Sequence, residues 1–204
     1  MNIGSHNSLS YQRPKKWWMR PFHFMAKCQE VDYVEQYKLG SRVFDLRISF
    51  NKNKAGKIQV KHGCVEFDIP MVLLNSFLKY IDDQSDCYLR VILEFNKEPK
   101  DIEYQERRFK YYCRTLEYKY KNIKFFGGNR KYDWKIVYNF ANKDIPTLID
   151  RYSSTTSLFK SDNKFLRIID DLWPWLYAKI RNKKNFEELK DSKDYLFADF
   201  INIR

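Results

Sequence analysis

The chain has 204 residues, 44% of them hydrophobic and 18% aromatic, which suits a packed core and excludes a disordered tail. Its apolar runs are short and broken by charge, as in "IIDDLWPWLYAKI" (168–180), and none approaches the roughly 20 residues that span a bilayer. A formal net charge of +12 points to an anionic partner, and nucleic acid, anionic lipid and phosphorylated small molecules all satisfy it.

Residues 2–5 read as a first strand leading into "GSHNS" (4–8). A charged-then-apolar secretory leader is not expected there, so a cytoplasmic location is. The segment "YQRPKKWWMRPFHFMAK" (11–27) reads as a loop. In it Trp17, Trp18, Met19, Phe22 and Phe24 interleave with Arg13, Lys15, Lys16 and Arg20. Tryptophan beside basic residues suits substrate stacking or peripheral contact with an anionic membrane surface, and packing against the outer wall of the fold explains the same pattern. His23 has no motif around it and is expected to be structural.

Further along, residues 28–40 form a helix pattern stopped by Lys38 and Gly40. Strand patterns follow at 42–48, 57–62, 87–95, 123–127, 134–140, 164–169 and 195–201. Helix patterns lie at 70–81, opened by Pro70, and at 100–120 and 174–190. This alternation predicts an α/β protein with mainly parallel strands. Eight strands suggest a small, distorted or incomplete TIM (β/α) barrel over 1–204 as a single domain, with an open α/β sheet as the other arrangement. Cys28, Cys64, Cys87 and Cys113 are far apart with no CxxC pair, so they read as reduced and mostly buried thiols, not as a metal cluster.

In a barrel of this kind, chemistry collects where strands end. His6 follows the first strand, Asp45 and Arg47 lie late in the second, His62 closes the third, and Asp199 lies in the last. Asp45 and Arg47 are two apart and share a strand face, where opposite charges need partners if buried. A structural ion pair and a functional site both fit that spacing. Gly63 after His62 could allow close backbone approach to a ligand. No groove-reading motif supports general nucleic-acid binding, and nothing indicates an oligomeric state.

Taken in order, "GSHNS" (4–8), "QYKLGSRVFDLRI" (36–48), "VKHG" (60–63), "VILEFNKE" (91–98) and "FADFI" (197–201) resemble the motifs of the phosphatidylinositol-specific phospholipase C catalytic domain. The resemblance is good over 2–68, fair over 85–98 and weak from there to 197. It implies a distorted TIM barrel that cleaves a phosphodiester by internal hydroxyl attack. His6 would then be the general base with Asp199 holding its ring, His62 the general acid, Arg47 the cation on the phosphate, and Asp45 the group orienting Arg47 or His6.

Two departures matter. Asn7 is the letter of the calcium-dependent eukaryotic members, where it binds the metal. Arg47 stands where those members have an acidic ligand, so metal-independent chemistry is expected, with no cofactor and calcium only a minor option through Asn7. Glu94 and Lys97 are the candidates to set the charge around His62 or meet substrate, with Trp17 and Trp18 at the rim. The expected partner is an anionic phosphodiester. A lipid and a soluble nucleotide-like or glycerol phosphodiester both satisfy the chemistry, as does a weakened phosphate-binding module.

Overall fold

The computed structural model describes residues 2–51, 53, 56–95, 99–125, 135–137, 173–188 and 195–203. Strand β1 (Asn2–Ser5) is followed by a 3₁₀ helix (Trp17–Met25), helix α1 (Tyr33–Lys38) and strand β2 (Ser41–Asn51). A hairpin of β3 (Lys57–His62) and β4 (Val65–Glu66) comes next, then α2 (Met71–Asp83), β5 (Tyr88–Glu94), α3 (Ile102–Lys119), β6 (Lys124–Phe125) and β7 (Lys135–Val137). Helix α4 (Pro174–Glu188) and strand β8 (Tyr195–Ala198) complete the described elements.

Strand β2 shows how the sequence builds the sheet. Its side chains alternate, so Phe44, Leu46, Ile48 and Phe50 face one way while Asp45, Arg47 and Ser49 face the other. Strand β5 repeats the pattern in parallel register, with Asp45 opposite Arg90 and Arg47 opposite Ile92. Leu89, Val91 and Leu93 therefore join the β2 apolar row in the main core. That core is completed by α2, which buries Leu74, Phe77, Leu78 and Ile81 at helical spacing, and by α3, which buries Phe109, Cys113 and Leu116. The opposite face carries Asp45, Arg47, Arg90 and Glu94, all buried. A buried charged face needs internal partners, and here it supplies the site.

Strands β8, β1, β2, β5 and β6 run parallel in that spatial order. First and last strands are thus neighbours, as barrel closure requires, but the described sheet is open and no pairing joins β6 back to β8. The mainly parallel expectation needs a further correction. Strand β3 is antiparallel to the far half of β2, β4 is antiparallel to β3, and β7 is antiparallel to β5. His62 therefore ends a hairpin strand that returns towards the rim, not a third barrel strand. The long β2 makes this possible, because its C-terminal half outruns β1 and pairs with β3 instead.

Element ends also differ from expectation. The pattern at 28–40 shrinks to α1, where Asp32 caps the helix by accepting from the Glu35 N–H at 2.9 Å. Pro70 is the cap residue of α2, and the helix itself begins at Met71. The aromatic–basic loop contains a 3₁₀ helix. The strand expected at 164–169 lies outside the described residues, as do both ends of the one at 134–140. No helix among the described residues is long and apolar enough to cross a membrane.

Candidate active site

Parallel pairing brings the ends of β1 and β8 side by side, Ser5 opposite Ala198, so His6 and Asp199 leave adjacent strands together. His6 Nδ1 donates to Asp199 Oδ1 at 2.5 Å, and both residues are buried. A carboxylate only accepts, so Nδ1 carries the proton and Nε2 is the basic nitrogen of the neutral ring. Asn182 of α4 fixes the Asp199 turn by donating to the carbonyls of Asp199 at 2.9 Å and Phe200 at 3.2 Å.

The hairpin carries His62 to the same place. Its ring meets that of His6 edge to face, with centroids 5.5 Å apart and planes at 87°. The two-residue turn after it places Gly63 at φ +55, in the left-handed region that glycine enters without strain. The Gly63 backbone N–H is engaged within the fold. That N–H donates to Glu94 Oε1 at 2.7 Å, tying the hairpin to β5.

Arg47 lies between two carboxylates. Its Nε donates to Asp45 Oδ2 at 2.8 Å and its Nη1 to Glu94 Oε2 at 2.6 Å, with all three side chains enclosed. Burial opposes the guanidinium charge, but Asp45 and Glu94 outweigh it and raise the Arg47 pKa above its ordinary value. Asp45 thus holds the Nε edge of the Arg47 guanidinium. Its second contact is the Asn7 backbone N–H at 3.2 Å, where a contact to His6 was the alternative. Asn7 has φ +44, and its Nδ2 donates to the Lys61 carbonyl at 3.3 Å. Burial lowers the Lys61 pKa, with Glu94 working against the shift.

The structure thus brings together His6, His62, Asp45, Arg47, Glu94, Asp199 and Asn7. Glu94 and Asn7, expected to meet substrate, are wholly buried here and engaged with the groups around them, Glu94 with Arg47 and the Gly63 N–H and Asn7 with the Lys61 carbonyl. Lys97 lies outside the described residues. Trp17 and Trp18 are 76% and 52% exposed, so they do not pack the outer wall. Phe22, Trp173 and Trp175 are exposed too, and Phe24 contacts Trp173 with ring centroids 6.0 Å apart. Lys16 lies over Trp18 and Lys179 over Trp175, so the exposed surface is both aromatic and basic. His23 is structural, its Nε2 3.0 Å from the Ser10 carbonyl.

Two neighbours of the site were invisible to motif reading. Gln29 Nε2 donates to the carbonyls of His6 and Ala198 at 3.1 and 2.8 Å, clamping the two strand ends that carry His6 and Asp199. Cys28, expected only as a buried thiol, sits with Sγ 3.9 Å from His62 Nδ1. Burial and then Asp199 raise its pKa well above the ordinary thiol range, and Arg47 only partly offsets them.

No protein-family model matches this chain, and no curated protein matches it in sequence. Among solved structures, the chain is similar to the phosphatidylinositol-specific phospholipase C of Listeria monocytogenes, at 14% identity and a TM-score of 0.55, over 98% of this chain and 87% of that one. It is also similar to the enzyme of the same name from Staphylococcus aureus, in a structure concerned with modulation of that enzyme's membrane binding. There the identity is 18% and the TM-score 0.58, over 98% of this chain and 85% of the other. At such identities the likeness is one of fold, a mixed α/β architecture shared with these phospholipases, and activity must be argued from the side chains.

Proposed function

We propose that the chain is a phosphodiesterase that works without a metal and cleaves by attack of a hydroxyl neighbouring the phosphate, with a phosphatidylinositol-like lipid as its leading substrate. The observation that carries this is the His6–His62 pair, with His6 backed by Asp199 and the Arg47 cluster alongside. His6 Nε2 takes the proton of the neighbouring hydroxyl as its oxygen attacks phosphorus. The bond from phosphorus to the leaving oxygen breaks, and protonated His62 gives that oxygen its proton, leaving a cyclic phosphodiester. Imidazoles suit both steps because they exchange protons near neutral pH. Asp199 stabilises the imidazolium that forms on His6, and the Arg47 charge stabilises the phosphate oxygens.

Calcium does not fit the donor set. Asn7 Oδ1 and Asp45 Oδ1 are buried without a hydrogen-bond partner among the described residues, and oxygen ligands of this kind suit a hard cation. An ion there would share Asp45 with the permanently charged Arg47 guanidinium, which also occupies Glu94. The lipid preference rests on the exposed aromatic–basic surface of the 3₁₀ helix and α4, and the membrane binding of the Staphylococcus aureus neighbour supports it.

The test is turnover of phosphatidylinositol in vesicles beside a panel of nucleotide and glycerol phosphodiesters, with products read by phosphorus NMR in excess EDTA. A cyclic phosphodiester product, a bell-shaped pH profile and losses of about a hundredfold or more in His6→Ala and His62→Ala are expected. Near-parental turnover in both variants, or equal cleavage of a diester lacking the neighbouring hydroxyl, would refute the mechanism. Saturable binding of these diesters without any product would mark a phosphate-binding module instead.

A further inference from the structure

Cys28 has no part in the mechanism above, yet the fold holds it firmly against the two imidazoles. Its backbone N–H donates to Ser10 Oγ at 2.9 Å, and its carbonyl accepts from the Phe200 N–H at 2.6 Å. The segments following β1 and β8 therefore both fix its position. Cys28 Sγ and one ring nitrogen each of His6 and His62 all lie within 4.8 Å of one another. His6 and Cys28 are buried and His62 is half-buried.

From this juxtaposition we propose that His6, Cys28 and His62 form a site for a thiophilic divalent cation of the zinc class. Two imidazoles and a thiolate are donors that zinc prefers, and three protein ligands leave a fourth position for water. Tetrahedral zinc at the usual bond lengths holds neighbouring N and S donors about 3.5 Å apart. The Sγ–Nδ1 separation of 3.9 Å is already close to that. Asp199, accepting from His6 Nδ1, is the outer carboxylate that metal-binding histidines commonly use to fix their tautomer. The carboxylates of Asp45, Glu94 and Asp199 also outnumber the cations of Arg47 and Lys61 around the cluster. On binding, the Sγ–H bond breaks, an Sγ–metal bond forms and the proton leaves to solvent, with no change of oxidation state.

If His6 and His62 are the base and acid proposed above, the ion takes up ring nitrogens that the reaction needs. Zinc would then hold the enzyme off, and a chelator would restore it. That consequence rests on the phosphodiesterase reading, whereas the site itself does not.

The experiment uses the full chain without a histidine tag, in a Cys64→Ser background that removes the exposed thiol, and needs no substrate. Calorimetric titration with zinc should give one ion per chain, not displaced by calcium. Cobalt should give the near-ultraviolet charge-transfer band of a cobalt–thiolate bond. Cys28→Ser and His62→Ala should each weaken zinc binding by more than about a hundredfold, and Asp199→Asn by about tenfold to a hundredfold. Absence of the thiolate band in the Cys64→Ser protein, or zinc binding unchanged in Cys28→Ser, overturns the proposal, and the first of these requires no variant at the site to fold. A chain that binds zinc this way but cleaves no phosphodiester keeps the site and loses the phosphodiesterase reading. One that cleaves but binds no zinc does the reverse.

Discussion

Replacing Arg47 by methionine probes the electrostatic centre of the fold. Methionine fills much of the space but leaves Asp45 and Glu94 buried without their countercharge. Removing one partner of a buried pair costs about 3–5 kcal/mol, and that is the loss expected in urea unfolding at neutral pH. Glu94→Gln is milder. Glu94 uses Oε1 for the Gly63 N–H and Oε2 for Arg47 Nη1, and an amide has only one oxygen. One of the two contacts then sets donor against donor, for a loss of about 1.5–3 kcal/mol. The double variant removes a charge together with its opposite, so its loss should fall short of the sum by about 1–3 kcal/mol. Arg47→Lys, which keeps the charge but not the two-pronged geometry, should fall between the parent and Arg47→Met. An Arg47→Met protein within about 1 kcal/mol of the parent, or strictly additive losses, would refute the reasoning.

Other outcomes follow from single contacts. Gln29→Ala removes the donors to His6 and Ala198 and the acceptor for the Ile201 N–H, so urea unfolding should show a loss of about 2–4 kcal/mol. Alkaline pH should destabilise the fold, because burial raises the thiol pKa of Cys28, Cys113 and Cys87, the last to about 12. The folded state then holds protons that the unfolded state releases, so this stabilisation is complete below the unfolded thiol pKa. Above about pH 9, each such thiol lowers stability by about 1.4 kcal/mol per pH unit until its folded pKa is reached. Unfolding midpoints measured from pH 8 to 11 check the slope, and Cys113→Ala should reduce it. Replacing Trp17 and Trp18 together by alanine should weaken partition onto anionic vesicles by about tenfold or more in a sedimentation assay, with unchanged binding opposing a membrane role for that surface.

Much of the sheet was legible because alternation is a local signal. The order Phe44, Asp45, Leu46, Arg47, Ile48 already separates a core face from a charged face, and the structure uses both. Helix α2 announced its buried stripe by spacing alone. The direction of β3 was not legible, since a strand pattern is the same read either way and only pairing with the end of β2 decides it. Gln29 and Cys28 lacked any signal for a related reason. Their partners Ala198 and Phe200 lie about 170 residues away and meet them only once β8 has paired with β1.

Asn7 shows how a letter that suggests one chemistry can be required by another. At φ +44 it occupies a region that asparagine and aspartate tolerate better than most residues. The geometry then separates those two. Nδ2 donates to the carbonyl of Lys61, the residue before His62, and the backbone N–H donates to Asp45. An aspartate would set a carboxylate oxygen against the Lys61 carbonyl, acceptor facing acceptor, beside the Asp45 charge. The amide instead stitches the residue after His6 to the residue before His62, so it sets how the two imidazoles face each other. That positioning accounts for asparagine by its nitrogen, whereas a metal ligand would need its oxygen. Asn7→Asp should therefore disturb the spacing of the histidine pair, readable as a changed pH profile for any phosphodiester the chain cleaves, and added calcium should not restore it.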